Sequence, residues 1–194
     1  MGFDFKALKE QGIRLGEFAE TVTLAQLREE SEKSVEWLLN FMQDVTDADV
    51  VFDPVDDEAH DPYAVEGEEN IGWTIGHLIA HVTASSEEGA AFCSLLGRGV
   101  PISEGGRLRY ETDWKEMDTV AKCLQRIEES RRIRLGYLDA LPEEINFELI
   151  RPISPGFEKR VGKLNAFGNM LLGLSHEHGH RAQMEVVKAQ AKAA

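Results

Sequence analysis

Three of the chain's six histidines fall within five consecutive positions, in Ser175-His176-Glu177-His178-Gly179-His180-Arg181-Ala182-Gln183. On a helix, residues four apart stack on one face, so His176 and His180 can aim their imidazoles at one point. His178 sits about 200° round the helix from both, at ~100° per residue, and cannot serve the same ion. Two imidazoles at this spacing are one way for a helix to hold Zn²⁺ or a similar transition metal. The string also satisfies His-Glu-x-x-His, the metalloprotease pattern. That pattern expects a third ligand well downstream and a substrate-aligning sheet. The short remainder after His180 and the helical character of the chain offer neither, so the missing ligand has to come from upstream.

Upstream, Gly72-Trp73-Thr74-Ile75-Gly76-His77-Leu78-Ile79-Ala80-His81-Val82 supplies two candidates. With His77 at zero on a helical wheel, Leu78, Val82, Ser85, Gly89, Phe92 and Leu96 cluster at about 60–140°, a core face. His81 falls at about 40°, on the edge of that cluster. His77 falls further toward the flank, in line with Ala84, Glu88 and Ala91. His81 is therefore the better aimed third ligand, and His77 is a supporting group or an alternative ligand. Glu177 and His77 are the candidates for moving protons, although no spacing fixes this and Glu177 reads first as a helix-surface residue.

These residues must be positioned by helices. Leu24, Leu27, Val35, Leu38, Met42 and Val45 recur in steps of three and four, with Ser31 filling the one polar gap, and predict a helix from Thr23 to about Asp44. A second runs from Thr74 or Asn70 to about Leu96, where Gly97 and Gly99 end it. A third, on Met117, Val120, Leu124, Ile127, Leu135, Leu138 and Leu141, spans about Asp113 to Leu141 and stops at Pro142. The fourth, from about Gly162 to Lys188, carries the histidine motif and ends in a fraying Ala/Lys tail. Residues 3–20 are a short, partly helical segment. Phe147 and Leu149 alternate ahead of a Pro155-Gly156 turn signal, so a small β-hairpin is expected before the last helix. Four amphipathic helices without a repeat, long linker or composition break imply one all-α domain over residues 1–194, a four-helix bundle with long crossover loops.

Between the first two helices the periodicity stops. Residues 46–70 hold ten acidic residues and no Lys or Arg, with Pro54 and Pro62 among them. The calcium-loop spacing is missing, so this reads as a solvated acidic loop shaping the mouth of a site. The connector 98–112 carries Arg98, Arg107 and Arg109, which could meet an anion but read more simply as loop charges.

The bulk composition narrows the function. A net charge of −14 argues against a sequence-independent nucleic-acid binder and against docking on anionic membranes. Cys93 and Cys123 form no disulfide framework and read as two buried reduced thiols. The N-terminus lacks a signal-peptide core and no run reaches the ~20 apolar residues of a membrane span. The expected location is the cytoplasm. Broad apolar helix faces make a homodimer the expected assembly.

The Trp73-Thr74…His81 motif together with His176-x-x-x-His180-Arg181-Ala182-Gln183 resembles the DinB/YfiT-like metalloenzyme superfamily, in helix order over essentially the whole chain. The resemblance implies a four-helix bundle with long crossovers and a histidine triad. A ligand histidine eight residues after the Trp corresponds to His81. The C-terminal His-x-x-x-His-Arg-Gly-Gln pattern corresponds to His176 and His180, with Ala182 where Gly is usual. Some subgroups place the histidine four residues after a Trp, which selects His77. Three neutral imidazoles would leave Zn²⁺, Ni²⁺ or Fe²⁺ with an open position, able to acidify a bound thiol or water. The resemblance extends to thiol-dependent isomerases and transferases, and implies activation of a low-molecular-weight thiol for transfer to a small electrophilic substrate. The alternatives are a metal-dependent hydrolase and a non-catalytic metal-binding or dimerising stress protein.

Overall fold

The computed structural model describes residues 2–56, 59–60 and 66–194. Four long helices, α3 (Leu24–Phe41), α5 (Ile75–Gly97), α6 (Val120–Asp139) and α8 (Ala166–Ala193), form the expected bundle. Four short ones accompany them: α1 (Phe5–Glu10), α2 (Leu15–Phe18), α4 (Asp47–Val50) and α7 (Pro155–Val161). Among the described residues there is no strand, and no helix is long and apolar enough to cross a membrane.

Local chemistry sets the helix starts. Thr23 accepts the Gln26 amide while the Gln26 side chain accepts the Thr23 amide, a capping box. Thr74 caps α5 through the His77 amide, Thr119 caps α6 and Asn165 caps α8. A side-chain cap of this kind contributes about 1 kcal/mol.

The structure corrects three boundaries. The third helix does not begin at Asp113: Trp114–Glu116 is a separate 3-10 turn, and α6 starts only after its cap Thr119. The hairpin is absent, because Ser154 caps a helix in which Pro155 takes the first turn, where a missing N–H costs nothing. The tail does not fray after Lys188. α8 continues to Ala193, held by Lys188 Nζ donating to the Phe41 carbonyl at 2.7 Å and Lys192 Nζ to Asp49 at 2.6 Å. The acidic segment is likewise not all loop, since Thr46 caps α4 and Asp49 is buried. The hydrogen bond to Lys192 outweighs burial and holds the Asp49 carboxyl at about 2. Asp57, Glu58, Asp61 and Pro62 lie outside the described residues.

Helix directions follow from the cross-pairs. α5 and α8 are antiparallel, with His81 opposite His176 and Ser86 opposite Gly173 and Glu177. α3 and α8 are parallel (Ser34 to Glu177, Phe41 to Lys188), as are α5 and α6 (Thr83 to Arg126, Gly97 to Leu141). α3 and α6 are antiparallel (Arg28 to Asp139, Glu32 to Arg131). In chain order the long helices therefore run up, down, down, up. Because α5 and α6 are parallel neighbours, residues 98–119 must return along the length of α5. They do so with Leu108 at Glu88, Arg109 at Ser85 and His81, and Trp114 at His77.

Two apolar clusters fill the bundle. One gathers Leu38, Ile79, Val82, Ile127 and Met184; the other gathers Leu27, Ala90, Cys93, Leu138 and Leu174. Between them all four long helices contribute a buried polar layer. Glu177 of α8 accepts from Ser34 of α3, from Ser86 of α5 at 2.8 Å and from Arg134 of α6 at 2.7 Å. Ser130 accepts from the same guanidinium at 2.9 Å. Glu177 and Arg134 are both fully buried, so the helix-surface position expected for Glu177 is wrong. Its neighbours in sequence are polar, and only tertiary partners reveal its face.

Glycines set the spacing of α5 and α8. A Cβ on Gly89 would stand 2.6 Å from the Asn169 carbonyl oxygen, and one on Gly173 would stand 2.9 Å from that of Ser85. Only residues without side chains permit this approach.

Removing one partner of a buried ion pair leaves the other uncompensated. Glu177→Ala should therefore lower the unfolding free energy by about 3–5 kcal/mol, read from urea denaturation. The double replacement Glu177→Leu with Arg134→Met should cost less than Glu177→Ala alone.

Candidate metal centre

His81 projects from α5, about two turns beyond the Thr74 cap, toward α8. His176 and His180 occupy one face of α8 opposite it. One ring nitrogen from each of the three lies within 4.8 Å of the other two, and His81 Nε2 stands 2.9 Å from His176 Nε2. Nitrogens ligating one tetrahedral ion at ~2.05 Å stand about 3.3 Å apart, so the His81–His176 pair needs only a small opening to accept one. The expected convergence of the second and last helices is present, and the three-histidine group can hold a divalent transition metal.

His77 is not in that group. Its ring stacks between Trp73 (centroids 4.4 Å apart) and Trp114 (4.9 Å, planes 5° apart). Trp73 also contacts the rings of His81 and His180, at 4.5 and 5.9 Å. His178, on the other flank of α8, packs against Phe5. Glu177 faces the polar layer, so the carboxylate that a His-Glu-x-x-His protease aims at its metal is committed elsewhere.

The outer ring nitrogens have partners too. His180 Nδ1 is 2.8 Å from Gln183 Oε1, an acceptor, which keeps the ring proton on Nδ1 and leaves Nε2 with its lone pair. His81 Nδ1 meets Arg109 Nη2 at 2.9 Å and Glu111 Oε1 at 3.4 Å. A guanidinium only donates and needs a lone pair on Nδ1, whereas a carboxylate needs a proton there. The two neighbours therefore select opposite tautomers of His81, and the Glu111 arrangement is the one that frees Nε2 for a metal. Burial raises the Glu111 carboxyl, but its bond to His81 and the charge of Arg109 outweigh this and hold it at about 2.

Arg109, which the sequence presents as a loop charge, and Glu111, which has no local signature, are the neighbours of the cluster that the sequence does not reveal. Their signal, a cation and an anion two residues apart, is meaningful only once the crossover is known to pass the cluster. Two recesses adjoin the histidines. One, of about 220 Å³, is lined by Asp56, His60, Ile71, Trp73, His180 and Gln183. The other, of about 150 Å³, reaches His176 from between α5, α8 and residues 151–157. The acidic segment thus contributes Asp56 and His60 to one mouth. Cys93 and Cys123 are free and buried, as expected, with burial pushing both thiols up to about 12.

Burial, reinforced by the neighbouring histidines and Arg109, lowers His176 to about 3, and burial also lowers His180. In the unfolded chain these rings protonate near 6.5, while in the folded protein His176 stays neutral. Stability is thus full above pH 6.5 and is lost as pH falls toward 3. For metal-free protein, the drop in Tm between pH 7.5 and pH 5 should be larger than for His176→Gln, measured side by side.

Comparison with known proteins bears on the same residues. Neither the search of curated proteins nor that of solved structures finds a match. A family model described as DinB superfamily matches residues 49–184, from α4 through the second, third and last long helices and across all three clustered histidines. The chain belongs to the DinB superfamily.

Proposed function

We propose that this chain is a metal-dependent enzyme that binds a low-molecular-weight thiol at His81, His176 and His180 and directs it onto a small electrophile. The observation that carries the reading is the meeting of three imidazoles from two helices beside two small recesses. The donor set fits a divalent transition metal such as Zn²⁺, Ni²⁺ or Fe²⁺: all three donors are nitrogens, and burial keeps His176 and His180 in the neutral form. When bound, such an ion would supply Lewis acidity that lowers the pKa of a coordinated thiol to near 7.

The residues around it have separable tasks. Gln183 holds the Nδ1 proton of His180, and Glu111 holds that of His81, so that both rings present their inner nitrogen. Arg109 donates to the His81 carbonyl, to Ser85 and to Glu111, and keeps the crossover against α5. Trp73 and Trp114 wall one side and exclude water, with His77 packed between them as a fixed orienting group. The part we assign to Glu177 is structural, because its oxygens are occupied by Ser34, Ser86 and Arg134.

Protein purified without a histidine tag should carry close to one transition-metal ion per chain by elemental analysis. His81→Ala and His180→Ala should lose it and His77→Ala should keep it. Metal retained in His81→Ala but lost in His77→Ala would move the third ligand. Glu111→Gln should weaken metal affinity about 10–100-fold. In the loaded protein, consumption of an electrophile should require added thiol; thiol-independent hydrolysis would replace the transferase reading with the hydrolase one.

A further inference from the structure

The recess at His176 has a charge pattern that the metal ligands do not account for. Arg151 enters it from the connection between α6 and α7, pinned by its own amide donating to the Leu164 carbonyl at 2.9 Å. Its guanidinium carbon lies over the buried Phe92 ring, 3.7 Å from the centroid. Among the described residues, one of its five N–H donors reaches a protein acceptor, Asn169 Oδ1, at 3.4 Å. Asn169 is itself fully buried, and its amide donates to the Leu164 and Asn165 carbonyls, which turns the carbonyl oxygen toward Arg151.

No carboxylate among the described residues comes within salt-bridge distance of Arg151. The other charges of the recess are already matched. Glu88 accepts from Arg107 Nε and from the Leu108 amide, both at 3.0 Å, and Arg109 is paired with Glu111. One partly buried cation therefore remains over, in a chain of net charge −14. The Glu88 carboxylate acts on Arg151 only from beyond ion-pair distance and is bonded to Arg107, so the partly desolvated guanidinium is incompletely matched, and stacking on an aromatic face compensates only in part. Its free edge is a planar fork suited to donating two parallel hydrogen bonds to a carboxylate. One unmatched positive charge matches a monoanion better than a phosphate dianion. The volume, about 150 Å³, is below the roughly 300–1,000 Å³ of whole-ligand pockets, so the recess takes a fragment of a larger ligand. Leu172 and Phe157 give that fragment apolar walls.

We infer that this recess is a carboxylate subsite in which Arg151, positioned by Phe92 and Asn169, grips the acid group of a small organic ligand whose other end reaches the edge of His176. The inference rests on the reading of His81, His176 and His180 as a metal site only for what that other end meets. The grip itself is a property of Arg151.

Two titrations test the parts separately. In metal-free protein, butyrate should perturb the amide resonances of residues 151 and 169 and bind at least tenfold tighter than 1-butanol. Arg151→Gln should abolish the difference and Arg151→Lys should retain part of it. In cobalt(II)-loaded protein, 3-mercaptopropionate should bind at least tenfold tighter than 3-mercapto-1-propanol, followed by the sulfur-to-cobalt absorption band. Equal binding of acid and alcohol in the parent protein overturns the subsite, whether or not the variants fold. Inorganic phosphate displacing butyrate with higher affinity overturns the carboxylate assignment. Failure of cobalt to load, with the butyrate preference intact, sinks the metal reading and leaves the subsite standing.

Discussion

Glu177 fixes the rotation of the last helix, and the candidate site follows from that rotation. Its carboxylate is fully buried and bonded to a serine from each of two helices and an arginine from a third. Turning α8 by even one residue would pull that charge out of its donors and into an apolar layer, at a cost of several kcal/mol. With Glu177 directed inward, the ~100° step places His176 and His180 together on one flank and His178 on the other. The first flank meets α5 and His81; the second meets Phe5. The polar layer thus acts as a register pin for the imidazole cluster. It stands apart from the cluster and uses no histidine to do so.

The distance across the cluster has a separate origin. Gly89 and Gly173 let α5 and α8 approach until backbone meets backbone, which brings His81 Nε2 to 2.9 Å from His176 Nε2. Rotation is set by an ion pair and separation by missing side chains. The two constraints are independent, so an imidazole triad can be assembled from two rigid helices without any loop supplying a ligand.

Much of this was legible in the sequence, for physical reasons that differ by element. Leu27, Val35 and Leu38 mark their helix because apolar burial is periodic, and Thr23 and Thr74 mark helix starts because capping is local chemistry. His81 was favoured over His77 by its angle on the wheel, and the structure does group it with His176 and His180. The misreadings share one cause, partners remote in sequence. Glu177 suits a helix surface by its polar neighbours, yet it sits in the core because Ser34, Ser86 and Arg134 are there to receive it. Pro155-Gly156 suits a turn as well as a helix start, and the Ser154 cap decides between them. The Ala/Lys tail has weak reasons of its own to be ordered, and Phe41 and Asp49 supply them. Arg109 and Glu111 carry no local signature, since their meaning comes from where a non-helical segment travels.

That segment is a consequence of the up-down-down-up order, which obliges the chain to retrace the full length of α5 before α6 can begin. The return leg lies outside the polar layer and contributes few residues to the apolar interior, but it brings Arg109, Glu111 and Trp114 against the histidines. A lineage could therefore rewrite the groups that surround the imidazole cluster by altering an outer strap alone, leaving the load of folding to the helices beneath. The surroundings of the cluster and the stability of the architecture are in this way entrusted to different stretches of one polypeptide, free to drift at different speeds.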